Sequence, residues 1–187
     1  MRRGPGELTA RARLGRRLLL GAYVALLYGL VPYGPALGRA AQASAAGRYV
    51  LGPGAIVVVV GGALAIFARM RSRRVPGPAY ALAAAAALGY ALALGWLRAI
   101  RLERVHLPEY GIASLLAWWA LVPSLGDRGR TYVAAAVLAA TIGWGDELVQ
   151  SITPGRVYDL RDVAANAIGA VLGAAVVATW RAGSPRT

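Results

Sequence analysis

The 187-residue chain is 58% hydrophobic and only 16% charged, with a mean hydropathy of +0.52. A soluble domain carries nearer ~25% charged residues, so this balance points to the membrane class, and the apolar residues do fall in long runs. The absence of cysteine excludes disulfides, thiolate nucleophiles and cysteine-ligated metal or iron–sulfur sites, and the single His106 excludes mechanisms that need two imidazoles.

All 21 basic residues are arginine, and the net charge is +13. A charge of this size can serve nucleic acid, but here the arginines stand in short clusters between apolar runs and not along one face. That is the pattern of topogenic charge beside anionic headgroups, so no nucleic-acid partner is expected.

A bilayer-spanning helix needs about 20 mostly apolar residues, and six segments qualify: 18–37, 49–68, 79–97, 107–125, 132–150 and 163–180. The expected fold is therefore an all-α, polytopic membrane protein. The first segment follows a basic stretch at 1–17 and is too long, and lacks a clear small-x-small site, for a cleaved signal peptide, so it reads as a retained anchor. Pro32 predicts a kink or a frayed last turn near its end. The second opens on "GPG" at 52–54, which moves its regular part to Ala55. In the fourth, Pro108 falls in a first turn, where its missing N–H costs nothing, and Trp118 and Trp119 lie mid-segment as packing residues. The linkers are expected at 38–48, 69–78, 98–106, 126–131 and 151–162, each too short for a soluble domain.

Fourteen of the 21 arginines lie on the alternate segments that include the N-terminus, and seven on the others. The positive-inside rule then places both termini in the cytoplasm. With six crossings, the linkers at 98–106 and 151–162 face the same, outer side. Six of the eight acidic residues belong to that side: Glu103, Glu109, Asp146, Glu147, Asp159 and Asp162.

Most of this polarity sits in "GWGDELVQSITPGRVYDLRDVAANAIG" at 143–169. On a helix, Asp146 and Glu147 are four and three residues before Gln150, so all three reach one broad face. His106 stands three before Glu109 and four before Tyr110. Two adjacent acids near a membrane need partners, and ion pairs with Arg156, Arg161 and Arg104 are expected. "TPGR" at 153–156 reads as a turn, and "DLRD" at 159–162 as a helix start with Asp159 as N-cap and Asp162 at N3. Asp162 and Asn166 share a face, and Gly169 and Gly173 at GxxxG spacing should dock the sixth segment against the fifth.

"ERVHLPEYGIASLL" followed by "GWGDELVQSITPGRVYDLRDVAANAIGAVLG" resembles the VanZ-like membrane protein family. That family has an acidic–basic–x–His box with a following Tyr. A Glu–x–x–Gln, a Pro–x–Arg, an Asp–x–x–Asp and an Asn–x–x–Gly come next. These fall here on Glu103, Arg104, His106, Tyr110, Glu147, Gln150, Pro154, Arg156, Asp159, Asp162, Asn166 and Gly169. Arg104 departs from the Lys often found there. The resemblance spans 79–180, and it implies a four-helix VanZ-like domain at 79–181, preceded by two additional spans at 18–78 and followed by a tail at 182–187. It also implies a multi-pass protein of the bacterial plasma membrane connected with the cell envelope, in a family named for a protein linked to low-level teicoplanin resistance.

The leading functional expectation is an outward-facing site for a polar headgroup, an anionic lipid or a cell-wall precursor. Its ligand-binding residues would be Arg104, His106, Tyr110, Glu147, Gln150, Arg156, Asp159, Asp162 and Asn166, with the bilayer itself as the other partner. Arginine suits phosphate and carboxylate through paired hydrogen bonds. Three alternatives stay open: an enzyme using His106 and Glu147 as acid and base, a transporter, and a purely structural latch. No cofactor or resident metal is implied.

Overall fold

The computed structural model describes residues 10–97 and 103–182. Residues 1–9 and 183–187, the outer parts of the expected basic N-terminus and C-terminal tail, lie outside the described residues. So do residues 98–102 of the third expected linker.

The described chain is helical. In order come α1 (Ala10–Leu30), α2 (Gly34–Ala43), α3 (Ala45–Tyr49), α4 (Ala55–Ser72), α5 (Gly77–Trp96), α6 (His106–Leu125), α7 (Gly129–Ser151) and α8 (Leu160–Arg181). Short 3-10 turns at Val31–Tyr33 and Glu103–Val105 and a π-helical turn at Val50–Gly54 join some of them. Each of the six segments expected from the sequence is mainly helical. Four stretches are long and apolar enough to span a bilayer: Ala10–Ala43, Gly77–Trp96, Gly129–Ser151 and Leu160–Arg181.

Local chemistry accounts for most boundaries. Pro32 lies in the 3-10 turn that separates α1 from α2, since a proline nitrogen cannot donate to the helix ladder. α4 begins at Ala55, after the glycines and Pro53. Gly126, at φ +74°, ends α6, and Asp159 caps α8 by accepting from the Arg161 N–H at 2.8 Å. The expected linker at 38–48 is instead helical, within α2 and α3, and Ser44 caps α3 by accepting from the Gly47 N–H. The Ala-rich composition explains this correction, because alanine favours helix whether or not the segment crosses a membrane.

The core is built from small residues. α6, α7 and α8 pack most extensively on one another, with Ala113, Ala117, Ala135, Ala139, Ala165 and Ala170 fully buried between them. Large apolar side chains point outward instead, with Val58 74% and Leu92 65% exposed. In lipid, apolar side chains gain nothing by leaving the surface, whereas small ones let helix backbones approach closely. α1 leans on α6 through Tyr23 and Leu27, α5 packs on α8, and α4 sits at the periphery against α5.

Gly169 and Gly173 meet α6, not α7. A Cβ on Gly169 would lie 3.0 Å from the His106 carbonyl oxygen, and one on Gly173 would lie 2.5 Å from the Gly111 Cα. The expected pairing with the fifth segment is corrected accordingly. α7 approaches α8 through its own Gly143, where a Cβ would stand 2.6 Å from the Asn166 Cβ.

Candidate functional site

Packing of α6 against α7 and α8 brings the start of α6, the end of α7 and the start of α8 to one end of the bundle. Gln150 organises the end of α7. Its Nε2 donates to Asp146 Oδ2 at 3.1 Å and to Glu147 Oε1 at 2.7 Å, as i,i+4 and i,i+3 spacing allows. Its Oε1 accepts from Arg156 Nη2, so the amide relays the guanidinium's polarity to the two carboxylates. The expected ion pairs of Asp146 and Glu147 with arginine are thus replaced by amide hydrogen bonds. Gln150 stands between the opposite charges, and Arg156 remains in electrostatic reach of both acids.

Glu147, fully buried, also accepts the Asp159 N–H through Oε2 at 3.2 Å. One carboxylate therefore ties the end of α7 to the residue that caps α8. The turn between them runs through Gly155, whose φ of +76° suits glycine, and closes with the Arg156 N–H on the Thr153 carbonyl.

From α8, Asp162 presents Oδ2 to His106 Nε2 at 3.7 Å, and His106 Nδ1 lies 3.5 Å from Glu109 Oε2. The imidazole sits between two carboxylates at ion-pair distance. Its ring stacks on Tyr110, with centroids 6.3 Å apart and planes at 25°. Asn166 is buried and donates from Nδ2 to the Gly143 carbonyl at 2.9 Å.

His106, Tyr110, Glu147, Gln150, Arg156, Asp159, Asp162 and Asn166 are thus brought together. Arg104 lies elsewhere: its Nε donates to the Leu97 carbonyl at 3.3 Å, and the residue lines an apolar cavity beside α4 and α5. Arg161 is exposed. Among the described residues, no three His, Asp or Glu side chains are grouped to hold a metal ion.

Sequence reasoning missed the lid that α1 and α2 place over this end. Tyr23 donates to the Glu109 carbonyl at 3.0 Å, and Tyr28 donates to the Ile142 carbonyl at 2.7 Å. The Arg156 Nη1 lies 3.4 Å from where a Gly34 Cβ would stand, which is van der Waals contact and shows how near α2 comes to the guanidinium. The available signal was the pair of phenolic hydroxyls in an apolar run, each of which needs a partner when buried.

Five buried side-chain nitrogen or oxygen atoms among the described residues have no hydrogen-bond partner, and four belong to this cluster. They are His106 Nδ1, Arg156 Nε, Asp162 Oδ1 and Asn166 Oδ1. Leaving such a group unsatisfied costs about 1–3 kcal/mol, and four of the five lie at this one end of the bundle.

A helical bundle with small residues inside, large apolar ones outside and a polar cluster at one end is a helical membrane protein. The chain belongs to the VanZ/LLP1 family, which it matches over residues 22–181. The match reaches back well before residue 79 and takes in the C-terminal part of α1 as well as α2 to α4. No curated protein and no solved structure matches the chain.

Proposed function

We propose that the polar cluster binds the headgroup of an envelope or lipid component that combines an anionic group with hydroxyls. The carrying observation is the set of four unpartnered buried atoms, His106 Nδ1, Arg156 Nε, Asp162 Oδ1 and Asn166 Oδ1. Arg156 offers a cationic donor to phosphate or carboxylate, and the oxygens of Asp162 and Asn166 accept from sugar or glycerol hydroxyls. The 3.5 and 3.7 Å separations around His106 leave this ring free to tighten onto a bridging group. Arginine distribution supports an outward-facing site in a bacterial plasma membrane protein with both termini inside. The family resemblance makes teicoplanin susceptibility the cellular phenotype to follow.

A second reading is favoured by His106 alone. An imidazole held between Glu109 and Asp162 is the arrangement of a general acid–base, with Glu147 as a further proton acceptor on a lipid-linked substrate.

The test uses Glu147→Gln, Arg156→Gln and Asp162→Asn in detergent-purified protein. Folded yield is measured together with the thermal shift produced by glycerol 3-phosphate, and susceptibility to teicoplanin is scored in cells. The headgroup reading expects folded variants that have lost both the ligand-induced shift and the wild-type phenotype. Loss of folded yield in all three identifies a structural latch instead. Stoichiometric recovery of unchanged ligand after long incubation sinks the catalytic reading.

A further inference from the structure

We infer that α2 and α3, with the turn that precedes them, form a hinged strap over Arg156 that lifts to let a ligand reach the polar cluster. The inference rests on the reading of that cluster as a binding site.

The four unpartnered atoms of the cluster are buried, so a headgroup meets them only after one wall gives way. The three central helices are poorly suited to move. Gly111 of α6 meets Gly173 of α8, and Gly143 of α7 meets Asn166, at separations that leave no room for a Cβ. α1 is pinned as well. Tyr23 and Tyr28 donate to carbonyls of α6 and α7, and Leu27 packs into the same core as Tyr110. A Cβ on Gly145 would collide with the Tyr28 hydroxyl, so this ring is seated directly on α7.

Beyond Tyr28 the attachment changes. Of residues 31–49, only Val31 and Gly38 are buried. α2 packs mainly on α3 and on the turn before it, and α3 packs on the π-helical turn after it. The two helices hold together as one unit. Arg48 Nη1 donates to the Gln42 and Ala43 carbonyls at 2.9 and 3.0 Å, and a Cβ on Gly47 would collide with the Ala41 carbonyl. Each end of the unit is a weak point in the helix ladder: Gly29 and Pro32 before it, Pro53 and Gly54 after it. Such positions absorb the backbone rotation of a hinge. Gly34 stands in van der Waals contact with the Arg156 guanidinium. Lifting the strap therefore uncovers Arg156 and leaves the acceptors on α7 and α8 in place.

The experiment treats the detergent-purified, full-length protein with phenylglyoxal, which modifies accessible guanidinium groups. Peptide mass spectrometry reads the rates at Arg156 and at the exposed Arg161, which serves as internal standard. Gly29→Ala stiffens the hinge, and its Cβ meets nothing within 4 Å, so the closed form accepts it. The Arg156 to Arg161 rate ratio should fall about fivefold, the glycine-to-alanine difference in helix preference expressed as a population. Val31→Gly removes the buried side chain that seats the strap, and should raise the ratio at least about threefold. Circular dichroism checks that both variants are folded. Spin labels at Leu37→Cys and Val171→Cys, both exposed positions, should show a second, longer distance that shrinks in Gly29→Ala and grows in Val31→Gly. Labels at Val137→Cys and Val171→Cys should keep one distance throughout. A rate ratio unaltered in both folded variants, or a single invariant distance from Leu37 to Val171, overturns the strap. Excess glycerol 3-phosphate tests the binding reading apart from the hinge: slower modification of Arg156 supports it, and strap-dependent modification that this probe does not slow counts against it.

Discussion

Gly111 of α6 and Gly173 of α8 face each other so closely that a Cβ on Gly173 would lie 2.5 Å from the Gly111 Cα and 2.7 Å from its carbonyl oxygen. The two backbones meet directly, and this contact sets the distance at which the polar ends of α6 and α8 converge. Gly173→Ala therefore has to push the helices apart, at a cost of about 1–3 kcal/mol. Gly61→Ala is the control, because a Cβ there meets nothing within 4 Å and the alanine should stabilise α4 by about 0.4–1 kcal/mol. Thermal unfolding in detergent should move in opposite directions for the two variants.

At the far end of the bundle, Arg181 donates to Asp127 Oδ2 at 3.0 Å, Tyr132 donates to Asp127 Oδ1, and the guanidinium lies over the Trp118 ring. Asp127 is buried and Arg181 is partly shielded, so this pair is worth more than a surface ion pair. Asp127→Asn should lower stability by about 1–3 kcal/mol. A double-mutant cycle with Arg181→Gln should return a coupling of at least ~0.5 kcal/mol.

Asn166 separates stability from function. Asn166→Ala loses the bond to the Gly143 carbonyl but also removes an unpartnered buried Oδ1, so the net change in stability should stay within about 1 kcal/mol. The thermal shift with glycerol 3-phosphate should nevertheless disappear. A variant that unfolds in the same detergent would assign Asn166 to helix docking alone.

The tyrosine lid is tested by Tyr28→Phe. Removing one hydrogen bond to the Ile142 carbonyl should cost about 0.5–1.5 kcal/mol. Hydrogen exchange should rise at the end of α7, which Tyr28 covers, and stay unchanged in α4.

The sequence made local relationships readable and long-range partners much less so. Gln150 reaching Asp146 and Glu147, and Asp159 capping α8, follow from helix period and cap chemistry, which involve only neighbours in the chain. The convergence of His106 with Asp162 was also legible, because two successive helices, α6 and α7, carry the chain away from the start of α6 and back to it. The GxxxG pair announced a close approach, yet small residues carry no signal of which helix fills the gap, and α6 took the place expected of α7. Arg156 was expected on a carboxylate and is bonded to Gln150, because adjacent acids on a helix are served more cheaply by an amide one turn away. Tyr23 and Tyr28 went unnoticed because aromatic residues in an apolar run usually pack or anchor at interfaces.

The meeting of the His106 and Asp162 ends at one membrane face is tested most directly by labelling single cysteines at positions 103, 128 and 157 in intact cells, since the native chain has no cysteine background. Positions 103 and 157 should both react with an impermeant maleimide from outside, and position 128 only after permeabilisation. Reaction of 103 and 157 from opposite compartments would contradict the shared pocket.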